Sequence, residues 1–148
     1  MKKIKSLAVL FVVLTIVVSC FVGCGAGEKV KITDHEWQLS TAQNENGDVI
    51  ARSQEYSEVY TEAEIKNVIL TADENGFTIK DLDMGESYSG EYKVENTQGE
   101  GVIYEITING KTGNAGCAPT TYKDGAKSDT LTMAIDGYSL TFYAKQGE

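Results

Sequence analysis

Residues 102–110 read Val-Ile-Tyr-Glu-Ile-Thr-Ile-Asn-Gly. Val102, Tyr104, Ile106 and Ile108 take every second place and alternate with Ile103, Glu105 and Thr107. Successive strand side chains point to opposite faces, so this is the pattern of a half-buried β-strand. Asn109-Gly110 follows at once. Both residue types accept positive φ, which makes the pair the strongest short-range signal for a hairpin. Where the chain is easiest to read, it is antiparallel β.

The same reading extends in both directions. Downstream, Leu131, Met133 and Ile135 alternate inward, Asp136-Gly137 turns the chain, and Tyr138, Leu140 and Phe142 alternate inward again. Upstream, Asn67 to Ala72 forms a strand, Asp73 to Gly76 a turn, and Phe77 to Asp81 a returning strand. Tyr88, Gly90, Tyr92 and Val94 share a face of the next one, and a glycine inside a strand suggests a bulge or bend at Gly90. His35 to Ser40 opens the domain as a first strand. Between Val49 and Asn67 the period is unclear. Thr61-Glu62-Ala63-Glu64 matches a helix capping box, so a short helix is expected near residues 55–66. Lys111 to Tyr122 is the odd segment: it holds Pro119, the only proline, and Cys117, the only cysteine beyond residue 24. Seven or eight strands at spacings of 8–14 residues form an all-β, antiparallel up-and-down meander. Closure into a 7–8-stranded β-barrel removes its exposed edges. A two-sheet β-sandwich is the alternative.

The first 27 residues belong to a different regime. Lys2, Lys3 and Lys5 precede an apolar run, Leu7 to Val18, broken only by Thr15, and small residues with cysteines follow. That order is a secretory leader rather than folded structure. It resembles a bacterial lipoprotein signal, in which a small residue precedes the cysteine that receives the lipid. Gly23-Cys24 fits, with Gly25-Ala26-Gly27 as a pliant continuation; Ser19-Cys20 fits more loosely. Residues 1–23 are therefore read as signal peptide, Cys24 as the lipid attachment site, residues 24–33 as a lipidated tether and 34–148 as the folded domain. An uncleaved membrane anchor and a plain secretory signal are the competing readings, since about 20 apolar residues suffice to span a bilayer. In each, the lysines stay inside and the domain lies on the extracellular side of the cytoplasmic membrane.

Cleavage before Cys24 removes three lysines and no acid, leaving 10 basic against 22 acidic side chains, a net charge of −12. Nucleic-acid binding needs a basic footprint, and adhesion to an anionic membrane surface needs positive charge; the domain has neither. Attachment would thus fall to the lipid anchor. Arg52 is the sole arginine, which argues against a phosphate or carboxylate site of the usual arginine-built kind.

Catalytic and metal chemistry find little to work with. His35 is the only histidine, and the local reading is a partly exposed residue at a strand edge. Asp73, Glu74, Asn75, Asp81 and Asp83 gather oxygen ligands, but not at the spacing of a helical calcium loop, and they read as turn chemistry. Cys117 reads as a small buried apolar side chain, unpaired if Cys24 carries lipid. Eight tyrosines with Trp37 offer either a stacking pocket or barrel filling, and filling accounts for the inward set. No nucleophile motif or phosphate loop stands out. No catalytic residues, no cofactor and no metal are expected.

Taken in order, several motifs resemble the bacterial lipocalin-like lipoproteins. They are Trp37-Gln38-Leu39, Ala72-Asp73-Glu74-Asn75-Gly76-Phe77, Gly90-Glu91-Tyr92, Asp136-Gly137 and Leu140-Thr141-Phe142. The resemblance covers roughly residues 34–145 and implies an up-and-down β-barrel in a family mostly without assigned activity. Residues 113–120 depart from the pattern as an insertion. The expectation is a monomeric, non-catalytic cell-surface module. It would bind a small apolar or amphipathic ligand, or, with a filled barrel, contact an envelope protein.

Overall fold

The computed structural model describes residues 28–146. The leader, Cys20 and Cys24 lie outside that range. Ten strands follow in chain order: β1 Trp37–Gln43, β2 Val49–Arg52, β3 Glu64–Ile65, β4 Val68–Asp73, β5 Gly76–Asp81, β6 Ser87–Gln98, β7 Gly101–Ile108, β8 Lys111–Thr121, β9 Lys127–Ile135 and β10 Tyr138–Ala144. Their sheet order is β10-β9-β8-β7-β6-β5-β4-β1-β2-β3, and β10 also pairs with β1. That last pairing, with Trp37 opposite Ala144 and Leu39 opposite Phe142, closes eight antiparallel strands into a barrel. A closed barrel excludes the sandwich. Strands β2 and β3 lie outside it, peeled off the edge of β1 beyond Gln38.

The barrel forms because the inward positions are apolar and the turns carry the right residues. Asn109 and Gly110 sit at φ 50° and 73°, Asp136 and Gly137 at φ 51° and 82°, so both hairpins turn with positive φ at both central residues. Inward side chains meet in one core that includes Trp37, Leu39, Leu70, Phe77, Tyr104, Leu131, Met133 and Phe142. Trp37, Phe142, Ile32, Leu70, Ile106, Leu131, Met133 and Cys117 are fully buried.

Alternating strand direction assigns the turns to two ends. One end carries the β4–β5, β6–β7 and β8–β9 turns and the start of β1. The segment before β1 crosses this end and stops it. The Val30 amide donates to the Glu100 carbonyl at 2.9 Å, the Ile32 amide to the Tyr104 hydroxyl at 3.1 Å, and the Trp37 indole N–H to the Ile32 carbonyl at 2.8 Å. Val30 and Ile32 join the core. Packing thus begins at Val30, inside the stretch read from sequence as tether. At the other end, Val68, Ile79, Ile108, Ile135 and Leu140 are half-buried.

Several local readings change. The helix expected near residues 55–66 is only a 3-10 turn at Gln54–Tyr56, and the capping-box residue Glu64 instead pairs with Ala51 as part of β3, parallel to β2. Turn bonds such as Tyr56 N–H to the Ser53 carbonyl use up the backbone donors that a longer helix would need. The supposed insertion at Gly113–Thr120 is strand β8, paired with both β7 and β9. Pro119 pairs only on the β9 side, beyond the last partner in β7, where its missing N–H costs no ladder bond. The bulge in β6 falls between Val94 and Asn96, not at Gly90. Gly90 serves another purpose: a Cβ there would lie 2.4 Å from Cζ of Phe77 and 2.7 Å from the Thr107 carbonyl oxygen. The glycine makes room for the Phe77 ring.

Candidate functional site

Three places gather chemistry-bearing side chains. The first is the stopped end of the barrel. His35 lies just before β1 and Asp129 on β9, and the His35 Nε2–Asp129 Oδ2 distance is 2.7 Å. The His35 ring meets the Trp37 ring edge-on, with centroids 5.1 Å apart. His35 therefore has a carboxylate partner 94 residues away in sequence, which no local pattern signals. Beneath them, Cys117 is fully buried and carries no disulfide. Burial pushes its thiol well above the ordinary value, with the charges of Asp34 and Asp129 adding to the effect. A thiol is reactive as thiolate, so this one is inert packing rather than a nucleophile. Tyr104 nearby is pushed up to about 12, chiefly by burial, against the opposing hydrogen bond from the Ile32 amide.

The second place is the outer wall where residues 53–63 fold back over β10. By register, Thr41, Thr141 and Tyr143 point outward, and Arg52 is the cross-strand partner of Thr41. The Arg52 Nε donates to the Tyr60 carbonyl oxygen. Ser53 is buried, and its amide donates to the Ser40 carbonyl. Tyr143 is pushed up to about 12 by burial and then by the Glu55 carboxylate, which places Glu55 against its phenol. Tyr56 is raised by burial and by neighbouring Tyr122. A polar layer thus lies between the barrel wall and the crossing segment.

The third place is the exposed side of that segment together with the β5–β6 turn. Val59, Tyr60 and Ile65 on the segment are exposed, as are Leu82, Met84 and Tyr88 at the turn. The two meet through Lys66: its Nζ lies 3.6 Å from Asp81 and 3.7 Å from the Met84 sulfur. The Asn67 amide also donates to Asp83 at 3.0 Å. Glu55, Glu58, Glu62 and Glu64 stand exposed along the segment. The odd segment from Ala115 to Tyr122 presents no such apolar face. Ala115, Cys117 and Ala118 are buried, and of the large apolar side chains there only Tyr122 is exposed.

Two shallow concavities also open on the surface. One, of about 340 Å³, lies against the β4–β5 hairpin between Ala72, Phe77 and Gly90. The other, of about 360 Å³, lies between the turns at Asn44–Asn46 and Asp136–Tyr138. The acids of the first hairpins are occupied as turn acceptors. Asp73 Oδ1 takes the Asn75 amide, and Asp81 Oδ1 takes the amides of Asp83 and Met84. The two Asp83 and Met84 amides, with Lys66, hold the Asp81 carboxyl below its ordinary value. Among the described residues, no three His, Cys, Asp or Glu side chains group as a metal ion would need. No helix among them is long and apolar enough to cross a membrane, which says nothing of strands. Compared with known proteins, the chain has no matching family model, no matching curated protein and no matching solved structure.

Proposed function

We propose that the chain is a lipid-anchored, non-catalytic interaction module similar to the lipocalin-like lipoproteins. It is held on the outer face of the cytoplasmic membrane through Cys24 and has a filled barrel as its scaffold. The observation that carries this reading is a contrast in burial. The largest inward side chains, Trp37 and Phe142 among them, are fully buried, whereas Val59 and Met84 on the outside are 68% and 62% exposed. Exposed apolar groups rimmed by polar ones mark interaction sites. Glu55, Glu58 and Glu62 beside Val59 and Tyr60 select the partner by charge: an envelope protein presenting a lysine-bearing apolar segment.

Crosslinking in intact cells tests it. A photoreactive residue at position 59 or 84 gives the same adduct, a control at Lys127 gives none, and reversing the charge of Glu58 and Glu62 suppresses it. In Cys24→Ala, lipid labelling and adduct are lost together. Adducts of equal yield from all three positions, or none, sink the interaction reading. Unchanged labelling in Cys24→Ala transfers the anchor to Cys20.

A second reading keeps a small apolar or amphipathic ligand. Its support is the ring of half-buried Val68, Ile79, Ile108, Ile135 and Leu140 at the end opposite the stopped one. Native mass spectrometry of protein taken from its own membrane separates the two, because only this reading predicts a co-purifying lipid.

A further inference from the structure

The only arginine of this acidic chain is buried, at 5% exposure, at the end of β2. Its Nε is satisfied by the Tyr60 carbonyl, but its Nη1 is buried with no partner. None of the ion pairs among the described residues includes it. A guanidinium does not escape this situation by losing its proton. A buried charge without a counter-charge is among the most costly arrangements a fold can hold, and it points to an anionic group as its complement.

A further donor in the same layer is unpartnered: Thr130 Oγ1 is buried without a hydrogen-bond partner, and Ser53 Oγ is buried with only the Tyr143 phenol beside it. Ser53 follows Arg52 and lies near the Tyr143 phenol, and Thr130 is the cross-strand partner of Tyr143. Arg52, Ser53, Tyr143 and Thr130 thus line one strip between the barrel wall and residues 53–63. The strip offers one positive charge and the free donors of Arg52 and Thr130, while the Tyr143 phenol is already engaged by the Glu55 carboxylate at the rim. The crossing segment's own backbone bonds are mostly internal turn bonds, such as Val59 and Tyr60 N–H to the Tyr56 carbonyl, and Arg52 Nε ties it to the wall at Tyr60.

We propose that Arg52 is the centre of a buried site for a monovalent carboxylate on the outer wall of the barrel. The planar fork of a guanidinium matches a carboxylate, and the two hydroxyls supply further donors. Exposed Glu55, Glu58 and Glu62 on the segment above disfavour a doubly charged anion such as phosphate. Arginine scarcity argues against a site built from several guanidinium groups; this one needs a single group, made effective by burial. The carboxylate can come from a free small acid or from the C-terminus of a partner chain. The site is independent of the outer apolar face and can fail without it.

The test is thermal unfolding of the full chain in detergent at constant ionic strength, with acetate exchanged for chloride. Two hexapeptides of one sequence, one ending in a free carboxylate and the other amidated, form the second arm. In the wild type, Tm rises with acetate if the source is a free acid, or only with the carboxylate-ended peptide if it is a chain terminus. In Arg52→Gln neither ligand moves Tm. Should that variant not fold, Ser53→Ala takes its place and shows the response reduced severalfold. The proposal is overturned if neither carboxylate moves the wild type, if the amidated peptide acts equally, or if the readable variant responds as the wild type does.

Discussion

Strands β6 and β8 flank β7 in the same barrel and are nearly equal in length, 12 and 11 residues, yet β6 has no buried residue and β8 has five. Composition alone would suggest the reverse. β6 carries two tyrosines and a valine, whereas β8 is built largely of Gly, Ala, Thr and Asn. The difference lies in what each strand is paired to. β8 is flanked by β7 over Lys111–Cys117 and by β9 over Asn114–Thr121. Its small residues let the neighbouring strand β9 close in: a Cβ on Gly113 would lie 2.2 Å from the Ala134 carbonyl oxygen. β6 is flanked by β7 along most of its length, but β5 reaches only Ser87–Gly90. From Glu91 onward one edge is left without a strand. Glu91, Lys93 and Glu95 alternate along it, and a bulge interrupts it at Glu95, the devices that keep an open edge from recruiting another chain. Burial in this barrel follows pairing, and side-chain size follows burial only loosely.

The largest expected effect falls on the densely packed wall. Phe142→Ala empties a fully buried ring site opposite Leu131 and costs about 3–5 kcal/mol in urea unfolding. A loss below about 1 kcal/mol would mean the wall is looser than its burial implies. Next comes the contact between core and stopped end. Tyr104→Phe leaves the Ile32 amide without its acceptor and costs about 1–3 kcal/mol. The same substitution has a pH signature. The folded phenol titrates at about 12, above its unfolded value near 10. Its contribution is whole below pH 10 and disappears as pH climbs to 12, because the unfolded chain releases the proton first. Denaturant midpoints across that window therefore fall less steeply in Tyr104→Phe, and the remaining slope is shared by Tyr143, also near 12, with Cys117 and the other groups whose folded values are raised. An identical pH slope in both proteins would break the assignment. The smallest effect is on the open edge: Val94→Thr, at a position 59% exposed, changes stability by no more than about 0.5 kcal/mol.

The contrast between the two strands also marks what the sequence could say. β7 was legible because Val102, Tyr104 and Ile106 alternate without interruption and Asn109-Gly110 permits one turn type. β8 was not, because Gly113, Ala115, Gly116 and Ala118 have low strand propensity and Pro119 argues for a loop; their place is set by neighbours far along the chain. The segment 55–66 misled for a related reason. Thr61 and Glu64 have the residue types of a cap, but β2 supplies Glu64 with a partner outside the segment. The site residues were the least legible. His35 and Asp129 come together only when the barrel closes, and nothing in the neighbours of Arg52 signals a buried guanidinium.

Closure itself has a consequence in time. From β4 to β10 each strand pairs with the one just made, so most of the sheet can zip up locally, hairpin by hairpin. β1 is different: Trp37 waits for Ala144, more than a hundred residues later, and meets β4 only through Trp37–Leu70 and Gln38–Ile69. Non-local pairing of this kind is slow, because the intervening chain must be ordered first. Among the described strands, β1 is thus the one whose barrel seam is completed last: its hairpin with β2 can form early, but the wall stays open beside Trp37 until β10 arrives.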